Sequence, residues 1–318
     1  MTRVAAIDCG TNSVRLLIAD IGTGPGTDLA PDDDAGTLTD VERRMEIVRL
    51  GQGVDETGRL APEALDRTFA AMRAYAALID RHGAEKTRVV ATSATRDAAN
   101  RADFVAGVVE IFGVVPEVIT GDEEAALSFS GATRELAALR PARPYLVVDI
   151  GGGSTEFVLG SSAAEAARSV DIGCVRLTER HLRDADPPSP EMITSAVADI
   201  DTALAHVRET VPVDEARTLV GLAGSVTTVA GIALGLPEYD PARIHLSRIT
   251  AGQVHEVTRD LLHATRAERA AIGVMHPGRV DVIGTGALIL DRIMREYGFG
   301  AVVVSEHDIL DGIAWSQV

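Results

Sequence analysis

The stretch that decides the fold is DIGGGSTE, residues 149–156. Residues 145–150 and 156–159 have strand length and are apolar except for Asp149 and Glu156, so the stretch is predicted to join two strands. Three successive glycines let the backbone turn with positive φ and expose N–H groups, which form a concave anion site together with two hydroxyls. Asp149 at the strand end suits Mg²⁺, and Glu156 is an acid at the start of an otherwise apolar strand. The segment predicts a phosphate-binding turn; an ordinary glycine hairpin with polar residues is the alternative.

A weak internal repeat accompanies this segment. AIDCGTNS, residues 6–13, resembles VDIGGGST, residues 148–155, at a distance of about 140 residues. Both patterns predict a strand, an aspartate, a glycine turn, hydroxyls and a returning strand. Duplicated domains that face each other across a cleft are therefore expected, each with one loop. The small polar side chains of the first loop suit phosphate oxygens, although Asn and Ser are also common turn formers.

A third glycine segment, LAGSVTT at 222–228, follows a strand and opens a helix. The N–H groups at that helix start could bind a phosphate or a nucleotide. A plain strand-to-helix turn with a serine cap is the alternative.

Strands and helices alternate along the chain, which predicts an α/β fold. Strands are predicted at residues 4–7, 14–19, 41–50, 89–92, 116–119, 145–150, 156–159, 218–222 and 301–304. Helices are predicted at residues 62–81, 98–112, 122–139, 175–183, 189–209, 225–234, 251–264, 280–297 and 308–315. Residues 22–39, with the acidic run 32–34, read as a solvated hairpin tip.

Composition bounds the function. The 318 residues predict two domains, and 46% apolar residues supply a sizeable core. A net charge of -17 argues against nucleic acid and anionic membranes as partners, and no apolar run is long enough to span a membrane. Two cysteines, Cys9 and Cys174, predict reduced thiols and a cytoplasmic location. The eight histidines show no zinc-binding spacing.

The three glycine segments, in this order, resemble the exopolyphosphatase and guanosine pentaphosphate phosphatase (Ppx/GppA) family. Further similar segments are ATSATRD at 91–97, GDEEA at 121–125 and DVIGTGA at 281–287, so the resemblance runs from residue 6 to about 312. It implies two actin-like domains, ribonuclease H-like and of the sugar kinase and heat-shock ATPase superfamily, around an interdomain cleft. The expected domains are 1–122 with about 303–318, and 123–302.

The resemblance also implies site residues. Glu124 is the expected catalytic general base, with Glu123 as the alternative and a simple helix-start role for both acids as the competing explanation. Asp149 and Glu156 are the expected ligands of Mg²⁺, with Mn²⁺ as a second possible ion. The expected phosphate-binding residues are Asp8, Gly10, Thr11, Asn12, Ser13, Arg15, Arg96, Gly151, Gly152, Gly153, Ser154, Thr155, Gly224 and Ser225. For Arg15 and Arg96 a surface charge is the alternative.

Several features depart from the family pattern. The C-terminal helical domain of many members is expected to be absent, which favours short polyphosphates. The usual His-Gly pair reads His245-Leu246, and the usual Leu-Arg-Glu-Gly reads Leu310-Asp311-Gly312, so an arginine that could contact phosphate is lost there. The leading expectation is an exopolyphosphatase acting on inorganic polyphosphate, as a homodimer. Guanosine pentaphosphate hydrolysis, a sugar kinase and a non-catalytic sensor of guanosine tetraphosphate are the alternatives.

Overall fold

The structure is a computed structural model that describes residues 1–22, 36–139 and 141–318. The acidic run predicted as a hairpin tip, 32–34, lies outside the described residues. The chain divides into two compact units, Met1–Thr120 with Ile309–Val318, and Gly121–Asp308. Among the described residues, no helix has both the length and the apolar character needed to cross a membrane.

The first unit is built on a five-stranded sheet of order β3-β2-β1-β4-β5. Its strands are β1 (Thr2–Cys9), β2 (Ser13–Gly22), β3 (Thr37–Ile47), β4 (Lys86–Ala91) and β5 (Glu117–Val118). Its helices are α1 (Val54–Thr57), α2 (Pro62–His82), α3 (Ser93–Asp97), α4 (Arg101–Phe112) and α13 (Ile309–Trp315). Side chains of α2 and α4 pack on one face of β1, while α13 contacts β1 and β2. Burial on both faces explains why residues 4–7 of β1 form an unbroken apolar run.

The second unit has a six-stranded sheet of order β10-β11-β9-β6-β7-β8. Its strands are β6 (Tyr145–Ile150), β7 (Thr155–Gly160), β8 (Ala164–Val170), β9 (Thr218–Leu222), β10 (Arg248–Thr250) and β11 (Ala301–Val304). Its helices are α5 (Gly121–Thr133), α6 (Cys174–Leu177), α7 (Pro190–Arg208), α8 (Ala223–Ala233), α9 (Pro241–Ile244), α10 (Ala251–His263), α11 (Arg266–Ala270) and α12 (Ile283–Tyr297). One face of the sheet packs on α5, and the other contributes to the core that contains α7, α8, α10 and α12.

The two sheets share one topology. β8-β7-β6-β9-β11 repeats the order of β3-β2-β1-β4-β5, with antiparallel pairs in the first three strands and parallel pairs in the rest. The predicted α/β class is confirmed, and this shared topology supports the predicted pair of actin-like domains. The weak sequence repeat is thus a repeat of structure.

Some predicted elements differ in extent. The helix predicted at 122–139 ends at Thr133 and continues as a 3₁₀ turn, Glu135–Leu139. The helix predicted at 175–183 is the short α6 followed by a π-helical segment, Thr178–Leu182. The sequence missed β8, because in this edge strand only Val170 is buried and the alanine and polar side chains give no apolar alternation.

The departure at Leu310-Asp311-Gly312 has a structural explanation. Asp311 in α13 is buried, and its Oδ1 accepts a hydrogen bond from Arg43 Nη2 of β3 at 2.5 Å. The acid therefore anchors the last helix to an edge strand of the first sheet.

Candidate active site

The first glycine loop joins β1 to β2 in the first unit. The Gly10 N–H donates to the Ser13 carbonyl at 3.0 Å. The Asn12 carbonyl accepts from the N–H groups of residues 48 and 49, and the Thr11 carbonyl accepts from Gly51 N–H at 2.8 Å. Within the part of the chain that the structure describes, the Thr11 and Asn12 N–H groups have no hydrogen-bond partner. The loop therefore directs carbonyls into the protein and leaves donors for an anion.

Two arginines expected to bind phosphate make contacts within the first unit. Arg15 Nε and Nη2 donate to Asp8 Oδ2 at 3.0 and 2.6 Å, across the β1–β2 pair. Arg96 Nη1 donates to the Ile119 carbonyl at 3.0 Å. Arg15 thus balances the charge of Asp8, and phosphate contacts by either arginine stay a prediction.

The second glycine loop joins β6 to β7 and repeats the geometry of the first. The Gly151 N–H donates to the Ser154 carbonyl at 3.0 Å, as in the first loop. In a closed β-turn the N–H of the fourth residue would donate back to the carbonyl of the first. Here the Gly151 carbonyl accepts from Cys174 N–H instead. Among the described residues, the N–H groups of Gly152, Gly153 and Ser154 have no partner.

The two predicted hydroxyls of this loop differ. The Thr155 side chain is fully buried and donates to the Ile172 carbonyl. The Ser154 hydroxyl has no hydrogen-bond partner among the residues described. Ser154 is therefore the hydroxyl available to a ligand.

Two buried carboxylates lie side by side at this loop. Asp149 and Glu156 are directly opposite each other in the β6–β7 pair and are 7% and 1% exposed. Ser128 Oγ donates to Asp149 Oδ2 at 2.7 Å, and Ser169 Oγ donates to Glu156 Oε1 at 2.8 Å. Like charges at directly opposite positions destabilise a sheet. This arrangement suits a divalent cation with oxygen ligands.

The first unit has a residue of opposite charge at the equivalent position. Asp8 is equivalent to Asp149, and its directly opposite partner is Arg15. A guanidinium therefore neutralises the acid in the first loop, whereas the second loop has a carboxylate at the equivalent position, Glu156.

Helix α5 brings Glu124 to the same region. Glu124 is 8% exposed, whereas Glu123 is exposed. Ser128, which holds Asp149, lies one turn after Glu124 on the same helix face. At the helix start, Gly121 packs against Ser169: a Cβ at Gly121 would lie 2.4 Å from the Ser169 Cβ. Glu124 therefore lies between two contacts of α5, one with Ser169 at Gly121 and one with Asp149 through Ser128.

The third glycine segment starts α8 in the second unit. Leu222 at the helix start gives no side-chain cap, and Ala223 has a positive φ of 66°. A Cβ at Gly224 would lie 1.8 Å from Arg279 Cζ, so the guanidinium covers the helix start. Ser225 is buried and packs tightly against Gly286 of α12. Sequence reasoning missed Arg279, although it lies only two residues before the DVIGTGA segment.

A further group of potential ligands lies elsewhere in the second unit. Glu135 Oε2 is 2.9 Å from His245 Nε2, and Glu135 Oε1 is 3.5 Å from His307 Nδ1. The His245 Nδ1 accepts the Glu306 N–H at 3.2 Å. This assigns the proton of the neutral His245 ring to Nε2, the atom that would have to bind a metal. Metal-bound histidines instead donate their other ring nitrogen, so the group is better explained as a hydrogen-bonded cluster.

Comparison with known proteins identifies the class. Residues 31–318 match the sequence model of the Ppx/GppA phosphatase family. The chain belongs to this family, as the glycine segments predicted.

Particular relatives match over nearly the full chain. Exopolyphosphatase 2 of Mycobacterium tuberculosis is 51% identical over 325 aligned residues, covering 99% of this chain and 98% of that protein. The crystal structure of an exopolyphosphatase-like protein superposes with a TM-score of 0.92 at 42% identity, covering 99% of this chain and 98% of the other. A Ppx/GppA family member from Aquifex aeolicus gives a TM-score of 0.79 at 31% identity, covering 99% and 97%.

Proposed function

We propose that this protein is an exopolyphosphatase that releases orthophosphate from the end of inorganic polyphosphate. The observation that carries the proposal is the arrangement around the second loop. Three buried carboxylates, Glu124, Asp149 and Glu156, accompany a turn whose three consecutive N–H groups have no partner among the described residues. The name of the relative from M. tuberculosis, which is 51% identical, agrees with this activity.

Phosphoryl transfer depends mainly on positioning and on neutralisation of charge. The N–H groups of Gly152, Gly153 and Ser154 would bind phosphate oxygens and orient the chain. Glu124 would remove a proton from the water that attacks the terminal phosphorus. The new P–O bond forms as the terminal phosphoanhydride breaks, which gives orthophosphate and a chain one unit shorter. A base in this role contributes about 10²–10⁴-fold.

Asp149 and Glu156 would hold Mg²⁺, or Mn²⁺ in its place. Their fit rests on the donor set, since two opposed carboxylates supply the hard oxygen ligands that these ions prefer. A bound ion would offset the negative charge of the phosphates. The hydroxyls of Ser128 and Ser169 would keep both carboxylates oriented.

The first loop is proposed to bind phosphate as well. It offers the Thr11 and Asn12 N–H groups and their side chains, which have no hydrogen-bond partner among the residues that the structure describes. Both residues are largely buried, so their polar groups are held in fixed orientations.

Substitution of the base tests the mechanism. Glu124→Gln should reduce orthophosphate release from tripolyphosphate by at least about 100-fold, because Gln cannot accept the proton. Binding of tripolyphosphate, measured by calorimetry, should remain. Glu123→Gln is the matched control, since Glu123 is exposed one position earlier, and it should keep wild-type turnover. Near-normal rates in Glu124→Gln would exclude this base.

Guanosine pentaphosphate is a second candidate substrate, because it also has a terminal phosphoanhydride. The observation in its favour is Arg279, which places a guanidinium over the start of α8. Parallel phosphate-release assays on tripolyphosphate, long polyphosphate, guanosine pentaphosphate and ATP separate the candidates. Release from none of them, despite binding, would favour a non-catalytic sensor.

A further inference from the structure

The second glycine loop lies against residues 173–176, a segment to which the proposed mechanism assigns no role. The Gly151 carbonyl accepts Cys174 N–H at 3.0 Å, and the Gly152 carbonyl accepts Val175 N–H at 2.9 Å. The approach is close, since a Cβ at Gly173 would lie 2.2 Å from the Gly152 oxygen. Residues 173–176 therefore bind the loop carbonyls by hydrogen bonds and keep them pointing toward this segment.

The hydrogen bonds to the carbonyls of the second loop determine the direction of its N–H groups. A trans peptide is planar, so its C=O and its N–H point in opposite directions. Glycines impose little preference of their own, because they occupy positive and negative φ almost equally. The orientation of the three peptides between Gly151 and Ser154 is therefore set by the donors that bind their carbonyls, and these donors lie outside the loop.

One peptide depends on a side chain. Arg176 Nε donates to the Gly153 carbonyl at 2.7 Å. This carbonyl and the Ser154 N–H belong to the same peptide, so the guanidinium fixes the direction of that N–H. The Arg176 side chain is only 12% exposed, and its contact with the exposed Asp171, at 3.9 Å, adds little.

We propose that Arg176 is a positioning residue for phosphate binding by the second loop. It turns the Gly153–Ser154 peptide so that its carbonyl faces the protein and its N–H faces the ligand. The inference rests on the proposed function, because it needs a phosphate at this loop. Arg176 acts through the backbone and needs no contact of its own with the phosphate.

Two substitutions separate this role from others. In Gln the Nε2 atom is as many bonds from Cα as Nε is in Arg, so Arg176→Gln keeps a donor near the Gly153 carbonyl without the charge. Arg176→Met keeps the length and removes the donor. Calorimetric titration with tripolyphosphate and Mg²⁺ should show Kd raised about tenfold or more in Arg176→Met and within about threefold of wild type in Arg176→Gln.

The outcomes are distinct. Unchanged Kd in a folded Arg176→Met variant would overturn the inference. A tenfold loss in folded Arg176→Gln would also overturn it, because a role through charge, such as direct phosphate contact, would then be indicated. Circular dichroism checks folding, and Arg176→Leu, which also removes the donor, replaces the Met variant if that variant does not fold. If the wild type binds tripolyphosphate without releasing orthophosphate, the proposed function fails while the positioning role stands.

Discussion

Substitution of Glu156 by Gln tests whether the opposed carboxylates form a cation site. Directly opposite residues in an antiparallel pair have Cβ atoms about 5 Å apart. Two unit charges at about 5 Å repel by about 3 kcal/mol at an effective dielectric constant of about 20. This is an upper limit, because the hydroxyls of Ser128 and Ser169 already donate to the pair. Gln keeps an oxygen that can accept from Ser169 and removes the charge.

Two effects should follow from this change. In EDTA, Glu156→Gln should be more stable than wild type by about 1–3 kcal/mol, because the repulsion is relieved. Added Mg²⁺ should stabilise the wild type, by about 2.7 kcal/mol at 100 times its Kd, and should have little effect on the variant. Orthophosphate release should fall in the variant although its stability rises.

The assay compares thermal and urea unfolding of both proteins in EDTA and in Mg²⁺, with Mg²⁺ affinity from calorimetry. Glu165→Gln is a matched control, because Glu165 is an exposed acid of β8 in the same unit. It removes one negative charge without changing the pair. The reasoning is refuted if Glu156→Gln is no more stable than wild type in EDTA and still responds to Mg²⁺ as wild type does.

Three further predictions concern other positions. Gly173→Ala should lower kcat/KM by about tenfold or more, because its Cβ would displace the Gly152 carbonyl; steady-state rates check this, and unchanged rates would contradict it. Burial, together with the neighbouring aspartate, raises the pKa of the Cys9 thiol well above its ordinary value. Since the folded pKa exceeds the unfolded one, the contribution of this thiol to the free energy of unfolding is fully present below the unfolded pKa of about 8.5 and is lost as pH rises. Urea titrations should show a smaller loss of stability with pH in Cys9→Ala, and rapid thiol labelling of the folded protein at pH 8.5 would contradict the raised pKa. Arg43→Met should lower the free energy of unfolding by about 2 kcal/mol. The loss is smaller than for a fully buried ion pair because the Arg43 side chain is 32% exposed. If urea unfolding shows no larger loss than substitution of an exposed arginine, Asp311 has no anchoring role.

The sequence could not choose between the neighbouring acids of GDEEA. Glu123 and Glu124 are both favourable at a helix start. Because they are adjacent, the sequence pattern does not show which of the two side chains faces the site. Packing of α5 on the second sheet buries Glu124 and exposes Glu123. The choice of base therefore follows from the burial of one helix face, although the role itself remains a prediction.

Local patterns in the sequence predicted much of the fold. Apolar runs of strand length, interrupted twice by an aspartate and a glycine turn, predicted both β-hairpins and their duplication. The same segments predicted the family through their resemblance to its glycine motifs. The positive φ expected of the loop glycines is not found, because neither Gly10 nor Gly151–Gly153 adopts it. The edge strand β8 was missed, since its exposed side chains leave no periodic signal.

Contacts between distant residues needed the tertiary structure. Strand register shows that Arg15 lies opposite Asp8, where it forms an ion pair. It also shows that Glu156 lies opposite Asp149, where two acids face each other. Likewise Arg176 meets the Gly153 carbonyl 23 residues away, and Arg43 meets Asp311 268 residues away. Sequence determined the turns, because turn chemistry is local. Tertiary structure decided what each turn presents to a ligand, because the groups that orient its peptides and carboxylates come from other elements.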